Sequence, residues 1–401
     1  MQFLERIGIY GGTFNPPHLG HFSAAAYALD VLKLQKLLMI PTGISPHKQL
    51  PEGSPTAQQR LEMVRLGASA YPGIEVSDLE LNRDGPSYTY ETVAQIRKLY
   101  PGAELYLLMG TDMFLSFQSW KCPEKILSQV TLAVFYRGDK DERNAVEEAR
   151  AELLQQGAKV VLVENPVLTI SSTDLRRLLA FGCASEFLPA AVERYIHENR
   201  LYGAGEDFRN LSEELLEQTV ARLLKPSRVA HVLGCAQTAV ELARHYGADV
   251  TDAARAALLH DVTKALDGPL QLTLCREYGT ILDAFSQKNP KTLHALTGSL
   301  VAEKVFGENP AVVSAICSHT TGKADMNLLE KIIYVADYME PNRDFPGVEQ
   351  LRSLAWSDID KALKLGLEMT LEMLRQQGRE ISPESQQALS WLEQQEERKR
   401  L

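Results

Sequence analysis

The 401-residue chain contains no uninterrupted apolar run of the roughly 18 residues needed for a membrane-spanning helix. It is also short of positive charge. Its 42 Lys and Arg face 52 Asp and Glu, a formal balance of −10. That excludes a broad nucleic-acid or anionic-membrane surface, which would depend on clustered basic side chains. Any anion site must therefore be local. Cysteine is scarce and odd in number: the five residues Cys122, Cys183, Cys235, Cys275 and Cys317 form no CxxC pair. This argues against a disulfide framework and predicts reduced thiols, most of them small core residues. The opening "MQFLERIGIYGG" runs into a strand pattern rather than a leader. Together these features predict a soluble, cytoplasmic protein.

The chain is long enough for two cores, with 45% hydrophobic and 23% charged residues. Up to about residue 202, short apolar runs alternate with amphipathic stretches: "RIGIYGG", "KLLMIP", "IEVSDLEL", "ELYLLMG", "TLAVFYR" and "KVVLVEN" read as strands. Such alternation predicts a doubly wound parallel α/β sheet with its ligand crevice at the carboxyl ends of the strands. After the polar "GAGEDFRN", from Leu211 onward, strand signals vanish and apolar residues recur at helical spacing. Stretches such as "AARAALLHDVTKAL" and "LLEKIIYVADYME" predict an all-helical second half. The expected domains are 1–203 and 211–401. The "QQEERKRL" tail reads as a frayed helix end.

The turn "GIYGGTFNPPHLGH" at 8–21 lacks both the Walker lysine and the GxGxxG spacing. Its residues still suit an anion. Gly11 and Gly12 allow backbone to approach a ligand, Asn15-Pro16-Pro17 forces a turn, and a helix beginning near His18 offers free N–H groups. His18 and His21, at i and i+3, can reach one phosphate. Taken alone, the segment is equally a strand-to-helix turn with two surface histidines. "ISSTDLRR", at 170–177, is a second helix start rich in hydroxyls, with Arg176 one turn in.

With "SPHK" at 45–48, "RDGPSYTYET" at 83–92 and "GTDMFLSFQSW" at 110–120, these segments stand in the order of the HxGH nucleotidyltransferases. Residues 1 to about 202 resemble, more narrowly, nicotinate-nucleotide adenylyltransferase. The resemblance implies a Rossmann-like fold and adenylyl transfer from ATP to nicotinate mononucleotide, giving deamido-NAD and pyrophosphate in NAD biosynthesis. It implies that His18, His21, Lys48 and Arg176 act on the ATP phosphates, with Ser171 and Ser172 helping to hold them. Gly11, Gly12, Thr13 and Phe14 would contact substrate. Gly110, Asp112 and Trp120 would lie along the mononucleotide pocket, with Trp120 on the pyridine ring and Thr89 near its carboxylate. Mg²⁺ is expected with ATP, carried by the nucleotide. Another HxGH transferase, such as pantetheine-phosphate adenylyltransferase, is disfavoured by "GPSYT" and "SFQSW".

In the second half, several His and Asp fall in apolar helices, notably "ALLHD" and "IIYVAD". Their polar ends need partners, and shared metal ions supply them. Mixed imidazole and carboxylate ligands suit a first-row transition metal, and a bridging carboxylate could hold two. His245 would lie about 21 Å along one helix from His231, too far for the same cluster.

His231, the doublet His260-Asp261 and Asp337 resemble, in their order, the HD-domain phosphohydrolases. "SRVAHVLGC", "LLHDVTK", "LHALTGS" and "SHTTGKADMNLLEKIIYVADYMEPNRDFPGVEQLR" resemble the YqeK-type branch over about residues 215–360. The resemblance implies one or two transition-metal ions, iron ahead of manganese, held by these four residues with His294 and His319. It implies symmetrical hydrolysis of diadenosine tetraphosphate to ADP, with Asp261 catalytic and Lys264, Thr321 and Arg343 as phosphate contacts. The expected partners are thus ATP, nicotinate mononucleotide and diadenosine tetraphosphate; no nucleic acid or membrane is expected, and homo-oligomerisation is left open. A reading of another class makes the helical half a regulatory or dimerising nucleotide-binding module without turnover.

Overall fold

A computed structural model describes residues 4–46, 49–136, 140–164 and 170–400. The chain divides into two compact units, Met1–Glu206 and Asp207–Leu401. Lys48, expected at the phosphates, lies outside the described residues.

In the first unit, the six apolar runs form six parallel strands: β1 (Arg6–Gly12), β2 (Lys36–Pro41), β3 (Ile74–Val76), β4 (Glu104–Gly110), β5 (Val130–Tyr136) and β6 (Lys159–Glu164). Their order is β3-β2-β1-β4-β5-β6. Ile7, Ile9, Ile40 and Leu105 pack on one face, and Leu37, Met39, Leu108 and Ala133 on the other. Both faces are covered by helices, so the strands read as continuous apolar runs rather than alternating ones. Burying each of the Ile, Leu and Met side chains among them contributes roughly 1.5–3 kcal/mol. β3 is shorter than the sequence suggests. It is an edge strand, and its pairing with β2 ends at Val76, before the polar Ser77 and Asp78.

The strand order reverses between β1 and β4. Their pairing ends at Ile9–Leu107, whereas β1 stays with β2 out to Gly12–Pro41 and β4 stays with β5 out to Gly110–Phe135. The two central strands therefore part over their last three residues. A crevice opens at this switch point, walled by the backbone of Tyr10–Gly12 and Leu108–Gly110.

The second unit contains helices and turns and no strand among its described residues. The principal helices around its centre are Pro226–Tyr246, Val250–Leu259, Leu293–Lys304, Pro310–Ser318, Leu328–Met339 and Ile359–Gln376. One helix is shorter than its pattern predicts. "AARAALLHDVTKAL" reads as helical to Leu266, yet the helix ends at Leu259 and successive i to i−3 turns carry His260 to Leu266. The reason is local: His260 Nδ1 bonds Ala257 O at 2.6 Å, the carbonyl that a continuing helix would give to the N–H of Asp261. No helix among the described residues is long and apolar enough to cross a membrane.

Candidate functional sites

In the first unit the chain leaves β1 through Thr13 and Phe14, passes a cis Asn15–Pro16 bond, and enters the helix Leu19–Val31 with His18 as its N-cap. A Cβ on Gly11 would meet nothing within 4 Å, whereas one on Gly12 would stand 3.1 Å from the Phe14 ring. Gly11 thus leaves the crevice open and Gly12 admits the Phe14 side chain. The His18 and His21 rings lie 3.6 Å apart between centroids. The backbone N–H of His18 donates to His21 Nδ1 at 3.2 Å. His21 Nδ1 must therefore carry the lone pair, and in the neutral ring Nε2 carries the proton. Burial holds the His21 pKa down at about 3; burial and the neighbouring ring hold His18 well below its ordinary value. Nδ1 of the buried His18 has no hydrogen-bond partner.

Two cavities meet at this point. One, of about 300 Å³, is lined by Gly11 to Phe14, Thr89 and Trp120. The other, of about 530 Å³, is lined by His18, Asp112, Ser171 and Ser172. Tyr10, His21, Met109, Gly110 and Met113 line both. Asp112 is thus brought to the cavity of the histidines and not to that of Trp120, while Gly110 serves both. Arg176 lies behind the turn, donating to Asn15 O at 2.7 Å, and Ser172 Oγ donates to Pro16 O at 3.1 Å.

Some residues that hold this site were not identified from the sequence. Arg60, in the helix Ala57–Ala68, is buried and donates to the carbonyls of Thr13 at 2.6 Å, Thr42 at 2.7 Å and Gly43 at 3.2 Å. The Tyr202 hydroxyl donates to Asn15 Oδ1 at 2.8 Å. Glu80, also buried, accepts from the Thr92 hydroxyl at 2.7 Å on the wall of the Trp120 cavity; burial raises its pKa.

In the second unit five helices deliver one cluster. His231 Nε2 lies 3.1 Å from Asp337 Oδ1 and 3.4 Å from His260 Nε2. Asp261 stands in the middle. Its Oδ2 is 3.5 Å from His260 Nε2 and 3.8 Å from His231 Nε2, and its Oδ1 is 3.5 Å from His294 Nε2 and 3.7 Å from His319 Nε2. Burial opposes ionisation of Asp261, yet His260, His319 and Lys264 hold its carboxyl well below the usual carboxylate range. Burial and Lys264 push His294 down to about 3.

The donor set fits a metal. Every imidazole has its Nδ1 engaged from outside the cluster: His260 on Ala257 O at 2.6 Å, His319 on Ile316 O at 2.7 Å, His294 on Lys291 O at 3.0 Å and His231 on Glu340 Oε1 at 3.0 Å. That pattern places the proton on Nδ1 and aims the Nε2 lone pair inward, as metal-binding histidines require. Buried Asp261 Oδ1 has no hydrogen-bond partner. His231, His260 and Asp337 form one ligand-sized group, and His260, Asp261 and His319 another.

The cluster forms part of the wall of a cavity of about 970 Å³. Arg228, Lys264 and Arg343 line its charged end; Tyr334, Tyr338 and Met369 line its apolar side. Arg228 Nε donates to Asp261 Oδ2 and Arg343 Nη2 to Asp337 Oδ1, both at 2.6 Å. Lys264 Nζ meets His294 Nε2 at 2.8 Å. Thr321 is not brought to the cluster: its hydroxyl donates to Glu384 at 2.8 Å, while the preceding Thr320 meets His294 and His319 at 3.0 and 3.1 Å. His245 packs on Tyr246 and Trp356, away from the cluster as its spacing implied. Glu340, Arg228 and Thr320 were not identified from the sequence; "YMEPNR" carries Glu340 three residues past Asp337 but no periodic signal for its role.

Residues 9–178 match the cytidylyltransferase-like family and residues 228–342 the HD domain. The chain is 36% identical over 198 residues to the "Probable nicotinate-nucleotide adenylyltransferase" of Carboxydothermus hydrogenoformans, covering 49% of this chain and 98% of that protein. It is 37% identical over 213 residues to the protein of the same name from Pseudomonas syringae pv. tomato, covering 50% and 95%. Among solved structures it is similar to a "predicted HD superfamily hydrolase involved in NAD metabolism" from Clostridium acetobutylicum, with 36% identity, TM-score 0.45, and coverage of 46% of this chain and 98% of that one. A second is Plasmodium falciparum nicotinic acid mononucleotide adenylyltransferase complexed with NaAD, with 20% identity, TM-score 0.41, and coverage of 50% and 98%.

Proposed function

We propose two activities for this chain, which belongs through its first half to the nicotinate-nucleotide adenylyltransferase family and carries an HD domain in its second. The first is adenylyl transfer from ATP to nicotinate mononucleotide. The observation that carries this reading is the pair of cavities that share His21 and Gly110. The acceptor occupies the side of Trp120 and Thr89, with the pyridine ring against the indole. ATP occupies the side of His18, Ser171 and Ser172, its magnesium carried by the polyphosphate. An acceptor phosphate oxygen forms a bond to the α-phosphorus of ATP as the bond from that phosphorus to pyrophosphate breaks, giving deamido-NAD. No protein nucleophile is needed; the site supplies in-line positioning and charge stabilisation. His21 Nε2–H points a neutral donor at the reacting phosphate, and His18 offers its unpartnered Nδ1 edge. Gly11, Thr13 and Lys48 complete the phosphate contacts, and Arg176 holds the turn from behind through Asn15 O.

The second activity is metal-dependent hydrolysis of diadenosine tetraphosphate to two ADP. His231, His260, Asp337 and one Asp261 oxygen would hold one cation; His294, His319 and the other Asp261 oxygen a second, with iron ahead of manganese as occupant. When bound, such a cation supplies Lewis acidity toward phosphate oxygen and lowers the pKa of water. The chain's own part is to place positive charge on the polyphosphate through Arg228, Lys264 and Arg343, with Thr320 alongside. Tyr334, Tyr338 and Met369 give the nucleoside an apolar wall. The sites lie in separate units, and the protein is proposed to work in the cytoplasm on small nucleotides.

The test is incubation of metal-analysed protein with ATP plus nicotinate, nicotinamide or pantetheine phosphates, and separately with diadenosine tetraphosphate. Deamido-NAD formed from nicotinate mononucleotide in clear preference, and ADP as sole hydrolysis product, are expected. A preference for pantetheine phosphate would refute the first assignment. Tight dinucleotide binding without turnover, metal present, would favour the regulatory reading of the second unit.

A further inference from the structure

Arg60 is 1% exposed, and all the hydrogen bonds its guanidinium makes go to main-chain carbonyls: Thr13 O at 2.6 Å, Thr42 O at 2.7 Å and Gly43 O at 3.2 Å. No carboxylate pairs with it among the described residues, and Nε has no partner. A buried guanidinium without a counter-ion is costly unless something offsets it. Its neighbours sharpen the point. Arg176 stands behind the same turn on Asn15 O, and the Tyr202 hydroxyl lies on Asn15 Oδ1. The Thr13 carbonyl thus meets Arg60, that of Asn15 meets Arg176 and that of Pro16 meets Ser172, and Thr13 and Thr42, two of the residues Arg60 holds, both line the Trp120 cavity. The carboxyl ends of β1 and β2, one residue beyond their last pair at Gly12–Pro41, are joined by one guanidinium.

We propose that Arg60 is a positioning residue for adenylyl transfer: it clamps the Thr13 turn to the loop after β2, on the wall of the Trp120 cavity, and supplies the buried positive charge that binding of the acceptor's phosphate at that turn completes. The charge acts through the turn's peptide dipoles, which it aligns with their positive ends toward the ligand, and Arg60 touches no substrate itself. The missing counter-ion is then the phosphate of the acceptor mononucleotide. This inference rests on the assignment of nicotinate mononucleotide to the Trp120 cavity.

Three forms of the full chain decide it: wild type, Arg60→Met, which keeps volume without charge, and Arg60→Lys, which keeps charge without the fork. Folding is followed by thermal melting, and kcat and KM are measured for each substrate separately. Arg60→Met is expected to raise KM for nicotinate mononucleotide about tenfold and lower kcat roughly 10–100-fold, leaving KM for ATP within about threefold. Arg60→Lys is expected to restore most of the nicotinate mononucleotide KM but little of kcat, because a point charge cannot join three carbonyls. A folded Arg60→Met enzyme with unchanged nicotinate mononucleotide KM, or one that loses affinity for both substrates alike, overturns the proposal. Should Arg60→Met fail to fold, Arg60→Lys decides alone, and unchanged kcat refutes the clamp. Calorimetric titration with nicotinate mononucleotide separates this inference from the one beneath it. If wild type binds the mononucleotide without transferring adenylate to it, the reaction assignment fails, whereas equal mononucleotide affinity in wild type and Arg60→Met sinks the Arg60 role.

Discussion

The backbone N–H of His18 donates to Nδ1 of His21 at 3.2 Å, so the proton of neutral His21 sits on Nε2, at the junction of two cavities. Burial keeps the His21 pKa at about 3. Turnover should therefore show no break from His21 between about pH 5 and 8, because the residue acts as a neutral donor throughout. His21→Ala should lower kcat roughly 10²–10³-fold with modest change in either KM. Steady-state kinetics across pH checks both. A limb with a pKa near about 6.5 that His21→Ala abolishes would show a charged imidazole at work.

The same shift predicts a stability effect. In the unfolded chain His21 binds its proton below about pH 6.5, while the folded protein accepts it only near pH 3. The unfolded state binds more protons across that window, so stability is fully present above it and falls as pH drops through it. His21→Asn should flatten the decline by up to about 1.4 kcal/mol per pH unit. Denaturant midpoints of the first unit's transition, measured at several pH values, test this. Parallel wild-type and variant curves would contradict it.

Gly11 and Gly12 are adjacent but should fail differently. A Cβ at Gly11 enters open cavity, with nothing within 4 Å, so Gly11→Ala should fold normally and raise KM. A Cβ at Gly12 lands 3.1 Å from the Phe14 ring, so Gly12→Ala should cost about 1–3 kcal/mol in stability. Paired melting curves and KM values distinguish them, and equal destabilisation by both would contradict this assignment.

Glu340 fixes the ring of His231 by accepting from Nδ1 at 3.0 Å, and its other oxygen accepts the Asn342 backbone N–H at 2.7 Å. Removing such an outer partner typically weakens metal affinity roughly 10–100-fold. Glu340→Gln should show that loss in competition titrations with a chelator, with secondary structure intact. Unchanged affinity would mean that His231 needs no orientation.

How far the sequence carries can be seen at particular residues. The β1, β2 and β4–β6 runs are legible because strands covered on both faces are continuously apolar, and the helical half because its apolar period is 3.6. β3 is shorter than its apolar pattern: its pairing with β2 ends at Val76, before the polar Ser77 and Asp78, although β2 runs on to Pro41. The His260-Asp261 doublet was visible as polar residues in an apolar helix, but the break at Leu259 depends on a side-chain bond that hydropathy does not encode. Arg60, Tyr202 and Glu340 stayed hidden for a different reason. Their partners lie 47, 187 and 109 residues away, so their roles exist only after folding. Thr321 and Thr320 are one residue apart on a turn, where no periodicity says which hydroxyl faces the cluster.

Asp261 offers Oδ1 to His294 and His319 and Oδ2 to His231 and His260, so it is shared by both halves of the cluster. Asp261→Ala removes that bridge, and chelation removes whatever the bridge holds; either should abolish hydrolysis of diadenosine tetraphosphate and leave adenylyl transfer with added magnesium near wild type. Losing the metal should also lower the second unit's stability, by about 2.7 kcal/mol where it had been present at 100 times its Kd, while the melting of the first unit stays put. His21→Ala should give the opposite pattern, silencing transfer and sparing hydrolysis. Assays of both products on each variant, with differential scanning calorimetry before and after chelation, make the comparison. Undiminished hydrolysis in the metal-free Asp261→Ala protein would remove the metal mechanism, and loss of both activities from either substitution would mean that the sites depend on each other.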